Sequence, residues 1–201
     1  MWGVRCAIRS FDRSRDQLSV RFFGKATYLA HRRRVLLCGD GDLSYGAYMS
    51  NVLKVAHPDT HLTATVLESQ EEHHRTYRQL KQHWNTIVHE CGHAVRFGID
   101  ATRLETYTDL GAPFDQIQFN FPHWRGKNNT RINRNLIHDF FCSSRRVLKS
   151  DGHVHLALFD HQGGAFSTTL GEWKHSWMPA RFAADLLLIR VVPFEVSVCL
   201  L

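Results

Sequence analysis

Apolar and polar positions alternate along the chain in blocks of two different periods. Val35-Leu36-Leu37-Cys38 is an unbroken apolar run between Arg32-Arg33-Arg34 and Gly39-Asp40-Gly41-Asp42. A short run of this kind, bounded by charge and glycine, predicts a strand buried on both faces. Residues 44–56 then carry a helical pattern. His57-Pro58-Asp59 is a turn signal. Residues 62–67 predict a second strand ending at Glu68-Ser69, and residues 70–84 are polar with Tyr77, Leu80 and Trp84 at helical spacing. Residues 94–99 predict a third strand, running into Asp100-Ala101-Thr102, followed by a short helix or loop over 103–110. A fourth strand over 114–119 runs into Asn120-Phe121-Pro122-His123. Residues 132–149 predict an amphipathic helix whose apolar face is Leu136, Phe140, Val147 and Leu148. Asp151-Gly152 reads as a turn and 153–159 as a fifth strand. A Gly163-Gly164 loop, a helix over 179–187 and a last strand over 191–198, interrupted by Pro193, complete the pattern.

Strands alternating with helices predict an α/β domain, a Rossmann-like, mostly parallel sheet with helices on both faces. One such domain covers residues 34–201. No second strand follows the last one, so the final strand of the sheet is expected to be missing or replaced. Residues 1–33 stand apart as a basic arm or a targeting segment. Arg5, Arg9, Arg13, Arg15, Arg21 and Lys25 there outnumber Asp12 and Asp16. A basic arm could equally add a strand or helix to the domain edge.

The net charge of +6, with 14 histidines in addition, favours anionic partners, nucleic acid first, though a merely basic surface carries the same charge. No apolar run is long enough to cross a bilayer as a helix, so no membrane partner is expected. Cys6, Cys38, Cys91, Cys142 and Cys199 are odd in number, widely spaced and without a CxxC pair. They read as free thiols, not as disulfides or a structural metal site.

The unusual residues lie at the strand ends, where open α/β sheets bind ligands. Gly39-Asp40-Gly41-Asp42 joins a strand to a helix start, a candidate cofactor cradle. It lacks the Lys-Ser/Thr of a P-loop, and Ser44 stands where a dinucleotide fingerprint has its third glycine. Asp40 and Asp42 would repel a pyrophosphate and suit a cofactor with a cationic centre. S-adenosyl-L-methionine carries a sulfonium and an amine. Glu68 is placed to accept from ribose hydroxyls, and Asp100 to meet an adenine amine. Taken singly, Asp42 and Asp100 also fit the role of local backbone caps. The cofactor-binding candidates are thus Gly39, Asp40, Gly41, Asp42, Ser44, Glu68, Asp100, Ala101 and Thr102. The layout is that of a class I methyltransferase.

Gly39-Asp40-Gly41-Asp42-Leu43-Ser44, Asp100-Ala101-Thr102 and the stretch from Phe114 to Asn120-Phe121-Pro122-His123 together resemble the family of large-subunit rRNA uridine-N3 methyltransferases. The likeness continues through Asn135-Leu136-Ile137, Phe140-Phe141 and Gly152 to Leu156, and spans about residues 35–198. Gln162-Gly163-Gly164 with Trp173 and Trp177 resembles a subgroup, some of whose members carry a further anticodon-binding domain of the tRNA-synthetase type; no counterpart of that domain occurs in these 201 residues. Asp40 replaces the usual Glu. Ala157-Leu158-Phe159 stands where many relatives have Thr-Leu-Lys. The resemblance implies methyl transfer to N3 of a uridine in large-subunit rRNA, with RNA as partner and a nucleolar, nuclear or cytoplasmic location; the basic N-terminus fits a mitochondrial one as well.

N3 lies on the Watson–Crick edge, so the target base must be unpaired or flipped into a pocket. Asn120 is the candidate for holding that edge, Pro122 for stiffening the turn, and His123 for taking the N3 proton or for capping the turn. Phe121 and Trp124 are candidates for stacking on the base, with a buried core place as the other reading of Phe121. Tyr45 and Tyr48, three apart on the first helix, read as packing residues. Two other classes are open. One is a non-catalytic RNA-binding module that keeps the fold. The other is a zinc peptidase through His89-Glu90-Cys91-Gly92-His93, which would need both histidines on one helical face. His73-His74 reads as a solvated helix face.

Overall fold

Val35, Leu36, Leu37 and Cys38 are all buried, as their unbroken apolar run predicts. They form most of β2 (Arg33–Cys38), the third strand of a seven-stranded sheet. The chain is seen as a computed structural model that describes residues 2–9, 32–77, 80–126, 128–184 and 188–195. The other strands are β1 (Trp2–Arg9), β3 (Thr60–Thr65), β4 (Ala94–Arg96), β5 (Phe114–Asn120), β6 (Leu148–Phe159) and β7 (Leu188–Glu195). Their order is β4-β3-β2-β5-β6-β1-β7. The five from β4 to β6 run parallel. The fold is therefore α/β with a parallel Rossmann-like sheet, as the alternation of periods predicts.

The far edge of the sheet has an unexpected source. β1 lies antiparallel between β6 and β7, pairing Cys6 with Leu156 on one side and with Val191 on the other. The last strand is thus altered, not missing: the place beside β6 goes to the beginning of the chain. Trp2–Arg9, grouped by the sequence with the basic arm, is a strand inside the sheet; residues 10–31 lie outside the described residues. Pro193 sits opposite Val4 in β7.

Alternation along β2 divides the core into two layers. Leu36 and Cys38 join Ile117, Phe119, Val154 and Leu156 beneath α4 (Thr130–Val147), which contributes Ile137, Phe140, Phe141 and Val147. Val35 and Leu37 join Leu62, Ala64 and Val66 beneath α1 (Ser44–Ala56), which contributes Ala47 and Leu53. Asn129 caps α4, accepting from the Arg131 and Ile132 amides. α2 (Gln70–Thr76) opens with a capping box between Ser69 and Glu72, and α3 (Leu80–Asn85) continues into a π turn, Thr86–Glu90.

β3 and β7 begin two and three residues before the periodicity places them, and three further differences have a local cause. Leu148 and Lys149 leave the α4 helix and begin β6. Asp151-Gly152 is not a turn but part of that strand, at an irregularity where Leu148 faces Phe114 and His153 faces Gln116. A Cβ on Gly152 would lie 2.8 Å from Leu148 and 3.0 Å from the Phe114 carbonyl, so a bare backbone is needed there. β4 stops at Arg96 because Gly98, in the left-handed region at φ +71°, bends the chain; the Gly98 and Ile99 amides still bond to the Glu68 and Val66 carbonyls.

Ile117 is fully buried in the strand between β2 and β6. Ile117→Ala is expected to lower unfolding stability by about 2–5 kcal/mol, read from urea denaturation.

Candidate functional site

The order of strands reverses at β2: β3 follows on one side and β5 lies on the other. A crevice opens at such a switch point, beyond the carboxyl ends of the strands. Gly39 occupies the end of β2 with φ +61°, and a Cβ there would come 2.5 Å from the Phe119 ring. Both the backbone angle and the close approach require glycine. Leu43, also left-handed, leads into α1, and Asp42 accepts from the Ser44 amide at 3.0 Å. Burial opposes ionisation of Asp42, but hydrogen bonds from Ser44 prevail and hold its carboxyl below the usual range.

Asp40 points the other way. It is 8% exposed and accepts from the Gly46 amide at 2.6 Å, beneath the first turn of α1. Burial pushes its carboxyl up to about 6, against the pull of the Gly46 hydrogen bond. A Cβ on Gly46 would lie 2.6 Å from the Asp40 carboxylate, so Gly46 makes room for it. Gly46 carried a signal in the sequence, since glycine inside a helix is unfavourable unless something needs the space.

The loop carbonyls are held by two histidines. His83 Nδ1 lies 2.8 Å from the Asp42 oxygen, and His73 Nε2 contacts the Gly41 oxygen. His73 is fully buried, so the solvated face expected for His73-His74 is right only for exposed His74. Nothing local marks His73, because its partner is 32 residues away.

A cavity of about 190 Å³ lies over the crevice, walled by Gly39, Leu67, Asp100, Thr102, Phe119 and His123. Ile99, Ala101, Trp124, Arg125 and Leu136 complete its lining. The structure thus brings Gly39, Asp100, Ala101, Thr102, His123 and Trp124 together. Asp100 is also a local cap, its Oδ1 accepting from the Thr102 amide at 2.9 Å and hydroxyl at 2.7 Å. Glu68 stands beside this wall, ion-paired at 2.5 Å with Arg125, a residue that the sequence did not mark. Asp40, Gly41, Asp42 and Ser44 do not line the cavity; they build the loop and the helix start beneath it. The walls suit a flat apolar ring between Leu67, Ile99 and Phe119, with carboxylates at the rim for amine and hydroxyl donors.

Asn120 lies on the opposite face of β5 from Phe119. Gln118 Nε2 donates to Asn120 Oδ1 at 2.9 Å and to the Tyr45 hydroxyl at 2.8 Å, while Gln118 Oε1 accepts from Gln116 at 3.3 Å. Gln118 is 3% exposed at the centre of this row, between half-buried Gln116 and Asn120. Tyr45 packs as expected and in addition anchors the row. Phe121 has φ 47°, donates its amide to the Ala157 carbonyl, and sets its ring 4.9 Å from Phe159. Phe121 is half-buried, Pro122 is buried, and His123 and Trp124 are exposed. The His123 ring lies 5.9 Å from Trp177. Fully buried Asn133 of α4 accepts from the Trp124 amide at 2.8 Å and so fixes the loop from below.

His89 and His93 do not share a helical face. His89 ends up in the π turn against Trp84, and His93 is buried at the sheet, its Nδ1 taking the Leu62 amide. This geometry removes the peptidase reading. Among the described residues no three His, Cys, Asp or Glu side chains gather in a way that would hold a metal ion. Cys38, Cys91 and Cys142 are free thiols, and burial pushes Cys38 up to about 12.

The family described as rRNA (uridine-N3-)-methyltransferase, BMT5-like, matches residues 36–198. The chain belongs to this family. Among curated proteins it is 39% identical over 169 residues to the human ferredoxin-fold anticodon-binding domain-containing protein 1, covering 81% of the chain and 26% of that protein. It is 29% identical over 175 residues to the heavy metal-associated isoprenylated plant protein 41 of Arabidopsis thaliana, covering 84% of the chain and 32% of that protein. The BMT5-like chain described here therefore spans about a quarter to a third of the length of these relatives. Among solved structures it is similar to a chain of a fibrillarin/Nop5p complex, at 14% identity, with a TM-score of 0.43 and coverage of 81% of this chain and 62% of that one.

Two outcomes test the loop. Gly39→Ala is expected to lower stability by about 2–4 kcal/mol in urea denaturation, from left-handed strain plus overpacking on Phe119. For Asp40 the folded value lies above the ordinary one, so its favourable contribution is complete below about pH 4 and is lost as pH rises through about 6. Asp40→Asn should therefore be more stable than the parent at pH 8, by on the order of 1–3 kcal/mol, and equal to it at pH 4. Equal stability at pH 8 would show that the Asp40 carboxylate ionises freely.

Proposed function

We propose that this chain is an S-adenosylmethionine-dependent RNA methyltransferase acting at N3 of uridine in ribosomal RNA. The observation that carries the reading is the meeting of Gly39, Asp100-Ala101-Thr102 and His123-Trp124 around one cavity, at the strand switch point of a BMT5-like domain. Gly39 admits a ligand close to the backbone. Leu67, Ile99 and Phe119 give a purine its apolar walls. Asp100 accepts from the adenine amine, and Glu68 from the ribose hydroxyls. When bound, S-adenosylmethionine supplies an electrophilic methyl group on a sulfonium, whose sulfur keeps the bonding electron pair as the methyl departs.

The acceptor side belongs to β5 and the loop after it. Gln118 occupies Asn120 Oδ1, so Asn120 presents its N–H donors. Uracil flanks N3 with two carbonyl acceptors, and a donor amide fits that edge. The N3 proton must leave for the nitrogen to bond carbon, and in this reading His123, in the cavity lining, takes it. Trp124, half exposed beside it, offers a stacking face for an unpaired base. Alignment of donor and nitrogen supplies more of the acceleration than proton transfer does.

The test is direct. Purified protein and S-adenosylmethionine are incubated with transcribed large-subunit rRNA, and N3-methyluridine is read by nucleoside mass spectrometry. Its appearance at a defined uridine is expected; an unmethylated product in the presence of bound cofactor would favour a non-catalytic RNA-binding role. His123→Ala is expected to slow methyl transfer by about 10²-fold or more with cofactor affinity little changed. Gln118→Leu is expected to lower kcat by about tenfold at unchanged cofactor affinity, by freeing Asn120 to turn.

A further inference from the structure

Arg125 joins the two halves of the site. Its Nη2 lies 2.5 Å from Glu68 Oε1, and Arg125 itself forms part of the cavity lining. Glu68 follows β3, on the cofactor side. Arg125 follows Asn120 to Trp124, on the acceptor side. We propose that this ion pair is a latch: a ligand hydroxyl pair that takes Glu68 releases Arg125, and the released guanidinium binds a phosphate of the RNA. The inference rests on the cofactor reading given above.

Three observations support the latch. First, Arg125 lines the cavity while its partner Glu68 does not, so a ligand in the cavity that reaches the Glu68 carboxylate competes with the guanidinium for it. Second, the loop is anchored ahead of Arg125 and sterically open just after it. The Phe121 amide is tied to Ala157 and the Trp124 amide to Asn133, which fixes the residues ahead of Arg125. Gly126 follows at φ +104°, with open space where a Cβ would stand. Third, the pair is strong enough to matter and weak enough to open. The Glu68 side chain is 25% exposed and the Arg125 side chain 59% exposed, so water screens the pair and its loss shifts an affinity by about two- to fivefold.

The consequence is reciprocal coupling. A filled cavity frees a cation for RNA, and bound RNA frees Glu68 for the cofactor, each by the same factor. Cofactor-loaded protein therefore engages RNA with one more phosphate contact than the empty protein does. A guanidinium suits this exchange because its planar fork binds carboxylate and phosphate alike.

The experiment titrates S-adenosylhomocysteine into the full chain and into Arg125→Met, by calorimetry, with and without a short oligouridine. Without RNA, Arg125→Met is expected to bind S-adenosylhomocysteine about two- to fivefold tighter than the parent. In the parent, saturating S-adenosylhomocysteine should tighten oligouridine binding by the same factor and steepen its salt dependence by about one phosphate. Arg125→Met should show neither change, and Arg125→Lys should restore part of both. Equal or weaker S-adenosylhomocysteine binding by Arg125→Met, or a parent whose RNA affinity ignores the cofactor, overturns the latch while leaving the cofactor reading intact. A folded parent that binds no S-adenosylhomocysteine overturns the cofactor reading and the latch together.

Discussion

The contact between Gly39 and the Phe119 ring is the constraint on which the site depends. It presses the end of β2 against β5 with no side chain between them. These two strands flank the switch point, so one close approach sets both the floor of the cavity and the exit direction of β5. Phe119 is held in turn by Phe140 of α4, with ring centroids 5.0 Å apart. The packing of α4 thus reaches the Gly39 turn through two aromatic rings. Asn133 of the same helix fixes the loop after β5. A single helix therefore supports both the Gly39 turn and the loop after β5.

The two faces of β5 do different work. Ile117 and Phe119 are buried in the core beneath α4, and Phe119 walls the cavity. Gln116, Gln118 and Asn120 point to the other face and form a row of hydrogen-bonded amides ending on Tyr45. A buried glutamine is expensive unless satisfied, and Gln118 is satisfied by Gln116, Asn120 and the Tyr45 hydroxyl. The period of two along one strand thus puts the cavity wall on one face and the amide row on the other.

Much of this was legible in local sequence. The apolar run 35–38, the glycines after it and the Asn120 to His123 turn each announce themselves within a few residues. The helix over 44–56 agrees with α1 at both ends. Contacts between distant residues were not legible. His73 reaches Gly41, Gln118 reaches Tyr45 73 positions away, and Arg125 reaches Glu68. No periodicity encodes such pairings. β1 was legible only as one alternative, a strand added by the basic arm, and its place between β6 and β7 was not, for a related reason. The His89–His93 spacing shows the opposite error, a familiar pattern emptied of meaning by a π turn and a buried partner.

The central claim is that the crevice at the end of β2 is where a methyl donor binds. Amide chemical-shift mapping with S-adenosylhomocysteine tests it most directly. The account predicts the largest shifts at Gly39, Ala101, Thr102 and Trp124, with α6 (Leu170–His175) unmoved. Shifts that leave Gly39 and Ala101 in place, or that cluster elsewhere on the sheet, would contradict it.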